Sequence, residues 1–274
     1  MRCQLLVAIA FVALSIFSTT ITMADIMEGL VAYWPLDEGS GTVARDLSDS
    51  GRDGTLENGP AWTPPGEFKE GRGALAFDGT DDRIVVESFD LEGGSGITLA
   101  AWIKPASFNS DDARVISKAQ GGGTEDHYWA MVMSGNGEDD LQFRLRTDTG
   151  AVSKITVPDG QEIQAGVWTH VALTWDASDP NMRFYKNGEE IHSSSKPGTS
   201  VGAGPDVEVG IGNQSVSAGA DSMDRPFHGI MDDVAVWSRG LTQEEIAELI
   251  AEGIPAAVEP DEKLTTAWGS IKQP

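Results

Sequence analysis

The sequence predicts an all-β protein: antiparallel strands in two sheets stacked as a sandwich, with one short C-terminal helix. Three observations carry this. From Gly29 to Ser238, short alternating or β-branched runs are broken by Gly, Asp, Asn or Pro about every ten residues. Glycine and tryptophan are abundant, at 32 and 8 of 274 residues, which suits many strands joined by tight turns. No helical pattern separates the strands, which argues against parallel βαβ units and for antiparallel pairing.

Residues 1–24 read as an export signal. A short basic start at Arg2 is followed by an apolar run from Leu5 to Phe17, and Ala24 stands at the expected cleavage position. The apolar run is short for a membrane-spanning helix. The expected location is therefore secreted or extracytoplasmic, with no membrane insertion after signal cleavage. Cys3 leaves with the signal, so the mature chain is expected to hold no disulfide and no cysteine metal site.

The β-sandwich is expected over residues 25–254. Strands are predicted at residues 30–36, 74–77, 83–87, 97–103, 114–118, 128–133, 141–147, 167–175, 182–186, 207–211 and 229–237. Period two is cleanest near the middle, where Val167, Thr169, Val171, Leu173 and Trp175 share one face and Trp168, His170, Ala172 and Thr174 the other. Both faces are partly apolar, as a central strand covered on both sides requires. Asn187-Gly188, between two strand-like runs, supplies the two positive φ values of a type I′ turn and predicts a hairpin. Thr242 and Glu245 form a T-x-x-E capping box, Ile246, Leu249 and Ile250 an apolar stripe, and Gly253 and Pro255 a stop: one amphipathic helix. Residues 255–274 read as a linker and short tail.

The formal net charge is −24. Such a field repels nucleic acid and anionic membranes and favours divalent cations and cationic or neutral ligands. No nucleic-acid partner is expected.

Several segments together carry a family resemblance. Leu30-Val31-Ala32-Tyr33-Trp34-Pro35-Leu36-Asp37-Glu38-Gly39-Ser40-Gly41 and the loop from Asp46 to Leu56 resemble the opening of laminin G-like (LamG) jelly rolls. Phe77-Asp78-Gly79-Thr80-Asp81-Asp82 resembles the family's F-D-G-x-x-D segment. Further matches are Ala101-Trp102-Ile103, Trp168-Thr169-His170-Val171-Ala172-Leu173, Phe184-Tyr185-Lys186-Asn187-Gly188 and Asp232-Asp233-Val234-Ala235-Val236-Trp237. In this order they are similar to a LamG-like domain of the concanavalin A-like lectin/glucanase superfamily. The resemblance implies a jelly roll of two antiparallel sheets and leaves the ligand open.

No catalytic constellation stands out. The glucanases on this fold resemble one another in an E-x-D-x-x-E or E-x-D-x-E strand, which places carboxylates on one face. Glu259-Pro260-Asp261-Glu262 and Asp232-Asp233 do not supply it. His127, His170, His192 and His228 lack metal-ligand spacing. Ser193-Ser194-Ser195 lacks the glycine-elbow context of a serine hydrolase, and Gly121-Gly122-Gly123 opens no helix. A binding module is expected rather than an enzyme, with an extracellular glycan or a surface protein as partner.

Calcium is the expected cofactor, because hard cations take oxygen ligands from irregular backbone. Asp46, Ser48, Asp232 and Asp233 are the candidate ligands, on the argument that the first and last strands of a jelly roll lie close. A further acidic loop is Asp78-Gly79-Thr80-Asp81-Asp82. Asp46, Ser48, Ser50 and Glu57 echo EF-hand spacing without the flanking helices. Each acid can equally cap its own turn. For glycan contact, Trp62, Tyr128 and Trp129 are the candidate stacking aromatics, whereas Trp34, Trp102, Trp168, Trp175 and Trp237 are expected to fill core.

Overall fold

The computed structural model describes residues 23–91, 94–108, 110–121, 126–133, 140–204, 206–214 and 225–255. Most of the expected export signal, residues 1–24, and of the 255–274 tail lies outside them. In chain order the elements are α1 (Met23–Met27), β1 (Leu30–Trp34), β2 (Val43–Ala44), β3 (Gly54–Glu57), β4 (Ala61–Trp62), β5 (Leu75–Asp78), β6 (Arg83–Val86) and β7 (Gly96–Pro105). They continue as β8 (Ala113–Ala119), β9 (His127–Met133), β10 (Leu141–Arg146), β11 (Val152–Thr156), β12 (Thr169–Asp176) and β13 (Asp179–Lys186). Then follow β14 (Glu189–Ser195), β15 (Val209–Ile211), β16 (His228–Trp237) and α2 (Gln243–Glu252).

All pairings are antiparallel. Sheet A runs β14-β13-β12-β7-β16-β5-β4, with β1 also on β16; sheet B runs β11-β10-β9-β8-β15-β6-β3-β2. The sandwich the sequence predicts is therefore the fold. Beyond the expected helix there is a second, the short α1, whose Ile26 is buried.

The core forms where inward positions of the two sheets meet. From sheet A come Trp34, Leu99, Ile103, Leu173, Trp175 and Phe184; from sheet B, Ile84, Trp129, Met131, Phe143 and Leu145. Each fully buried indole of sheet A finds a carbonyl: Trp34 donates to Arg52 (2.9 Å), Trp175 to Lys196 (2.8 Å) and Trp237 to Ile26 (2.8 Å). Trp168 departs from the expectation, standing half-buried just before β12.

The predicted hairpin turn is present. Asn187 and Gly188 have φ of 51° and 85°, joining β13 to β14. The predicted helix is present too. Thr242 accepts from the Glu245 amide while Glu245 accepts from the Thr242 amide, and Gly253 ends the helix at φ 72°. Glu245 also takes a two-pronged contact from Arg239, at 2.7 and 2.9 Å. Ile246 and Leu249 press onto Tyr33, Ala100, Ala172 and Trp237, so a second apolar layer covers part of sheet A's outer face. Thr242→Ala is expected to cost about 1 kcal/mol in urea denaturation. An unchanged midpoint would show that packing alone sets the start of α2.

β16 is the hinge of the topology. One edge pairs with β7 throughout; the other pairs with β5 along His228–Met231 and with β1 along Val234–Trp237. Asp232 and Asp233 stand at that handover, where the register slips and Asp233 takes φ 50°.

Candidate functional site

The sheets differ in what lies on their outer faces. α1 and α2 cover part of sheet A, whereas among the described residues no helix packs on sheet B. Successive registers of sheet B place Thr55, Val85, Gly210, Ser117, Ala130 and Arg144 in one row across its strands, closed by Lys154 on β11. Their strand neighbours Ile84, Val86, Val209, Ile211, Met131, Phe143 and Leu145 point into the core, so by alternation this row faces outward. The centre of the row is closed to solvent, with Ser117 and Ala130 1% and 0% exposed and Gly210 buried, whereas Thr55 and Lys154 at its two ends are exposed.

At the β3 end of the row lies an open cleft of roughly 1060 Å³, lined by Thr55, Glu57, Val85, Glu87 and Glu208 with Arg52 beside them. Glu57 meets Arg83 at 3.3 Å and Asp90 meets Lys118 at 2.8 Å. Glu87 is exposed. Burial pulls the Lys118 ammonium below its usual range, and the Asp90 carboxylate works against that. Carboxylates along an open cleft accept hydrogen bonds, which suits a ligand rich in hydroxyl groups.

At the β10 end the chemistry inverts. Arg114 and Arg144 are 0% and 4% exposed. A bulge in β8 lets Arg114 and Ser117 share the outer face. Asp112, at φ 59°, serves both guanidiniums: its carbonyl accepts from Arg114 (3.1 Å) and its carboxylate from Arg144. Gln214 accepts from Arg114 at 3.3 Å, Gln142 accepts from Arg144 at 3.1 Å, and His127 Nε2 lies 3.3 Å from Arg144. Burial, with Arg144 and Arg225 nearby, lowers Arg114 to about 9. Burial alone would raise the Asp112 carboxyl, but the Arg144 guanidinium outweighs it and holds it below the usual range. These residues escaped the sequence reading. Gln142, Arg144 and Arg146 alternate with Leu141, Phe143 and Leu145, a pattern that reads as an ordinary solvent face.

The predicted aromatics are not gathered here. Trp129 is 1% exposed and packs on Phe89 inside the sandwich. Tyr128 is 9% exposed, with the Arg146 guanidinium 5.1 Å from its ring centre. Neither presents a free ring face, which corrects the expectation that they stack on sugar. Both belong to β9, a strand buried on both sides. Trp62 is half-buried on β4 in the other sheet, its indole donating to Gly41 at 3.0 Å.

The predicted metal ligands are also kept apart. β1 and β16 do pair, as expected. The Asp46 carboxylate, however, is filled by the amides of Tyr33, Ser48 and Arg52 at 2.7–2.8 Å and by the Ser48 hydroxyl at 2.9 Å. Asp233 accepts from the hydroxyl at the far end of Tyr33. Asp232 accepts from the amides of Lys69 (2.8 Å) and Glu70 (3.0 Å), pinning that loop over sheet A. These acids hold the chain, and Asp46 stands a tyrosine's length from Asp233. Burial and then the Asp233 charge push Asp232 up to about 8; burial pushes Asp233 to about 7. In the same layer burial lowers His170, edge-on to Trp102 at 5.2 Å, to about 3. Among the described residues, the carboxylates that do converge are Asp78, Asp81 and Asp82, with oxygens within 4.8 Å of one another.

The comparisons with known proteins agree with this architecture. A family model described as the concanavalin A-like lectin/glucanases superfamily matches residues 78–247. The human adhesion G-protein coupled receptor D1 is 25% identical over 221 residues, covering 78% of this chain and 22% of the receptor. The chain thus spans under a quarter of the curated relative it matches. The binding domain of Paraclostridial Mosquitocidal Protein 1 superposes with a TM-score of 0.60 at 13% identity, over 82% of this chain and 52% of that one. A botulinum neurotoxin type C structure, titled for its interaction with two ganglioside molecules, gives 0.60 at 15% identity, over 84% and 52%. Domain 4 of AbnA, a GH43 extracellular arabinanase from Geobacillus stearothermophilus, in complex with arabinotriose, gives 0.57 at 19% identity, over 81% and 98%.

Proposed function

The chain belongs to the concanavalin A-like lectin/glucanases superfamily, and from that premise we propose that it is a secreted carbohydrate-binding module that holds its ligand in the cleft at the β3 end of sheet B. The observation that carries this reading is the open cleft of roughly 1060 Å³ at the β3 end of sheet B, where Thr55, Glu57, Glu87 and Glu208 set hydrogen-bonding groups along a face that no described helix covers. Sugars need such a surface, because their hydroxyls must exchange water for equally good partners. Solved structures of the same fold include one titled with gangliosides and one with arabinotriose, which supports a glycan as the ligand class. Binding rather than catalysis is the proposed activity.

A glycan array tests it. Thr55 is exposed in β3 and lines the cleft, so Thr55→Trp fills part of it on a strand that tolerates aromatics. The expected result is binding to at least one oligosaccharide, weakened about tenfold or more by the substitution, with an unchanged melting temperature. Silence across the array would shift the reading to a surface-protein partner.

Calcium remains a proposal, moved to Asp78, Asp81 and Asp82. Burial raises the Asp82 carboxyl, and the neighbouring acids Asp78 and Asp81 add to that, a crowding that a divalent cation relieves. Asp78 Oδ1 accepts from the Thr80 amide and Asp82 Oδ2 from the Asp78 amide, both at 2.7 Å, so each carboxylate keeps an oxygen for an ion. Calcium is expected to raise the melting temperature of the chelator-treated protein, and Asp82→Asn to abolish the rise. A calorimetric titration without heat and a melt without shift would remove calcium from the account.

A further inference from the structure

We infer that a separate, smaller pocket, where the end of β5 and the start of β16 meet the start of β8 and the end of β9, takes the acetamido group of an N-acetylated sugar. This cavity of roughly 250 Å³ shares no lining residue with the cleft beside β3, so the inference does not rest on that cleft. Its mouth is open: Asp78 and His228 are exposed, and Ser107, Phe108 and Ser110 are half-buried. Its floor is apolar, made by buried Ala113, Met133 and Phe227. The volume is that of about eight waters at roughly 30 Å³ each, which suits one ring or one substituent rather than a chain of sugars.

The walls are fixed before any ligand arrives. The Ala106 amide donates to the His228 carbonyl at 2.8 Å, and the Ser107 hydroxyl meets His228 Nδ1 at 2.7 Å, so the loop after β7 is tied to the start of β16. Gly79, at φ 76°, lets the imidazole lie against its loop, since a Cβ there would come within 2.6 Å of His228 Cβ. Phe227 packs edge-on to Phe77 with ring centres 6.2 Å apart, and its amide donates to Gly212 at 2.7 Å. A preformed pocket loses less freedom on binding than one that must first be ordered.

The chemistry of the ligand follows from what these walls offer. Asp78 is an acceptor: its Oδ1 takes the Thr80 amide at 2.7 Å, and a carboxylate has about four acceptor positions, so further protons and a cation can share it. The Ser110 hydroxyl is a donor, and with Ser107 donating to Nδ1 the imidazole of His228 carries its proton on Nε2, a second donor. The floor offers no hydrogen bond, so a polar group pressed on it loses water without replacement. An acetamido group answers all three features: its N–H donates, its carbonyl accepts and its methyl is apolar. A plain sugar hydroxyl leaves Met133 and Phe227 without an apolar partner. A free ammonium has no lone pair for the donors, and a carboxylate brings Asp78 a like charge instead of a proton.

Saturation-transfer NMR tests this, with the methyl glycosides of N-acetylglucosamine and N-acetylgalactosamine beside those of glucose and galactose. The wild-type protein is expected to show its strongest transfer at the acetyl methyl and to bind the acetamido sugars at least about tenfold more tightly than the parent sugars. Ser110→Phe fills the mouth from the loop between β7 and β8 and is expected to abolish that transfer; His228→Ala removes a donor and is expected to weaken binding about tenfold. Melting curves establish that each variant is folded. Equal binding of acetamido and parent sugars, or no transfer at the acetyl methyl, overturns the inference. Undiminished binding by either folded variant places the sugar elsewhere and overturns it too. The wild-type comparison decides the matter even where a variant does not fold, and none of these outcomes bears on the cleft, which Thr55→Trp tests.

Discussion

Replacing Asp112 by alanine is expected to destabilise the domain by about 3–5 kcal/mol, the cost of leaving a buried partner uncompensated. Asp112 is the one described carboxylate bonded to Arg144, which is almost wholly buried, and its positive φ aims both its carbonyl and its side chain at the two arginines. Removing the carboxylate leaves two close guanidiniums facing each other without the charge between them. Asp112→Asn tests charge apart from shape, and is expected to lose most of the same stability. Combining Asp112→Ala with Arg144→Gln should recover part of the loss, because the repelling charge is gone; a double-mutant cycle in urea measures that coupling. A loss under about 1 kcal/mol, the scale of an exposed ion pair, would contradict the burial of this cluster.

The second large effect is on pH. Asp232 and Asp233 titrate at about 8 and about 7 in the folded chain, against an ordinary value of 3.8. The folded state therefore holds protons that the unfolded state has released. Their contribution to stability is complete below 3.8 and is lost as pH rises through that window to about 8. His170 acts in the opposite sense: lowered from 6.5 to about 3, it takes stability away as pH falls below 6.5. The groups facing the acid pair are Tyr33, Asp37, Lys69 and Glu70, and Lys69 is the one cation among them. Two acids outweigh one histidine between 3.8 and 6.5, and above 6.5 the acids act alone. Melting temperature is thus expected to be highest in mild acid and to fall steadily toward pH 8. Asp232→Asn together with Asp233→Asn should flatten that fall. A melting temperature that rises from pH 5 to pH 8 would contradict the buried, protonated pair.

Much of the fold is legible in the sequence because its strongest signals are local. The Asn187-Gly188 turn and the Thr242–Glu245 capping box are each determined by a few adjacent residues, and both stand as read. Edge elements such as β2, β4 and β11 escape the reading, since runs of two to five residues with polar members become strands only through their neighbours. The candidate site was harder for the same reason. Alternation in β9 places Trp129 and its neighbours on opposite faces but cannot say that both faces are buried. The closeness of the first and last strands was legible; the occupation of Asp46 by backbone amides was not, because Tyr33, Ser48 and Arg52 converge on it only in the folded loop. Ser117, Ala130 and Arg144 are ordinary strand residues until two registers align them.

Hydrogen exchange, measured with and without the glycan that binds best, tests most directly whether the outer face of sheet B is the binding surface. Protection is expected in β3 and β6, along Thr55, Val85 and Glu87, with β7, β12 and β13 of sheet A unchanged. Protection confined to the strands of sheet A, or around Trp62 on β4, would place the ligand elsewhere and contradict the account.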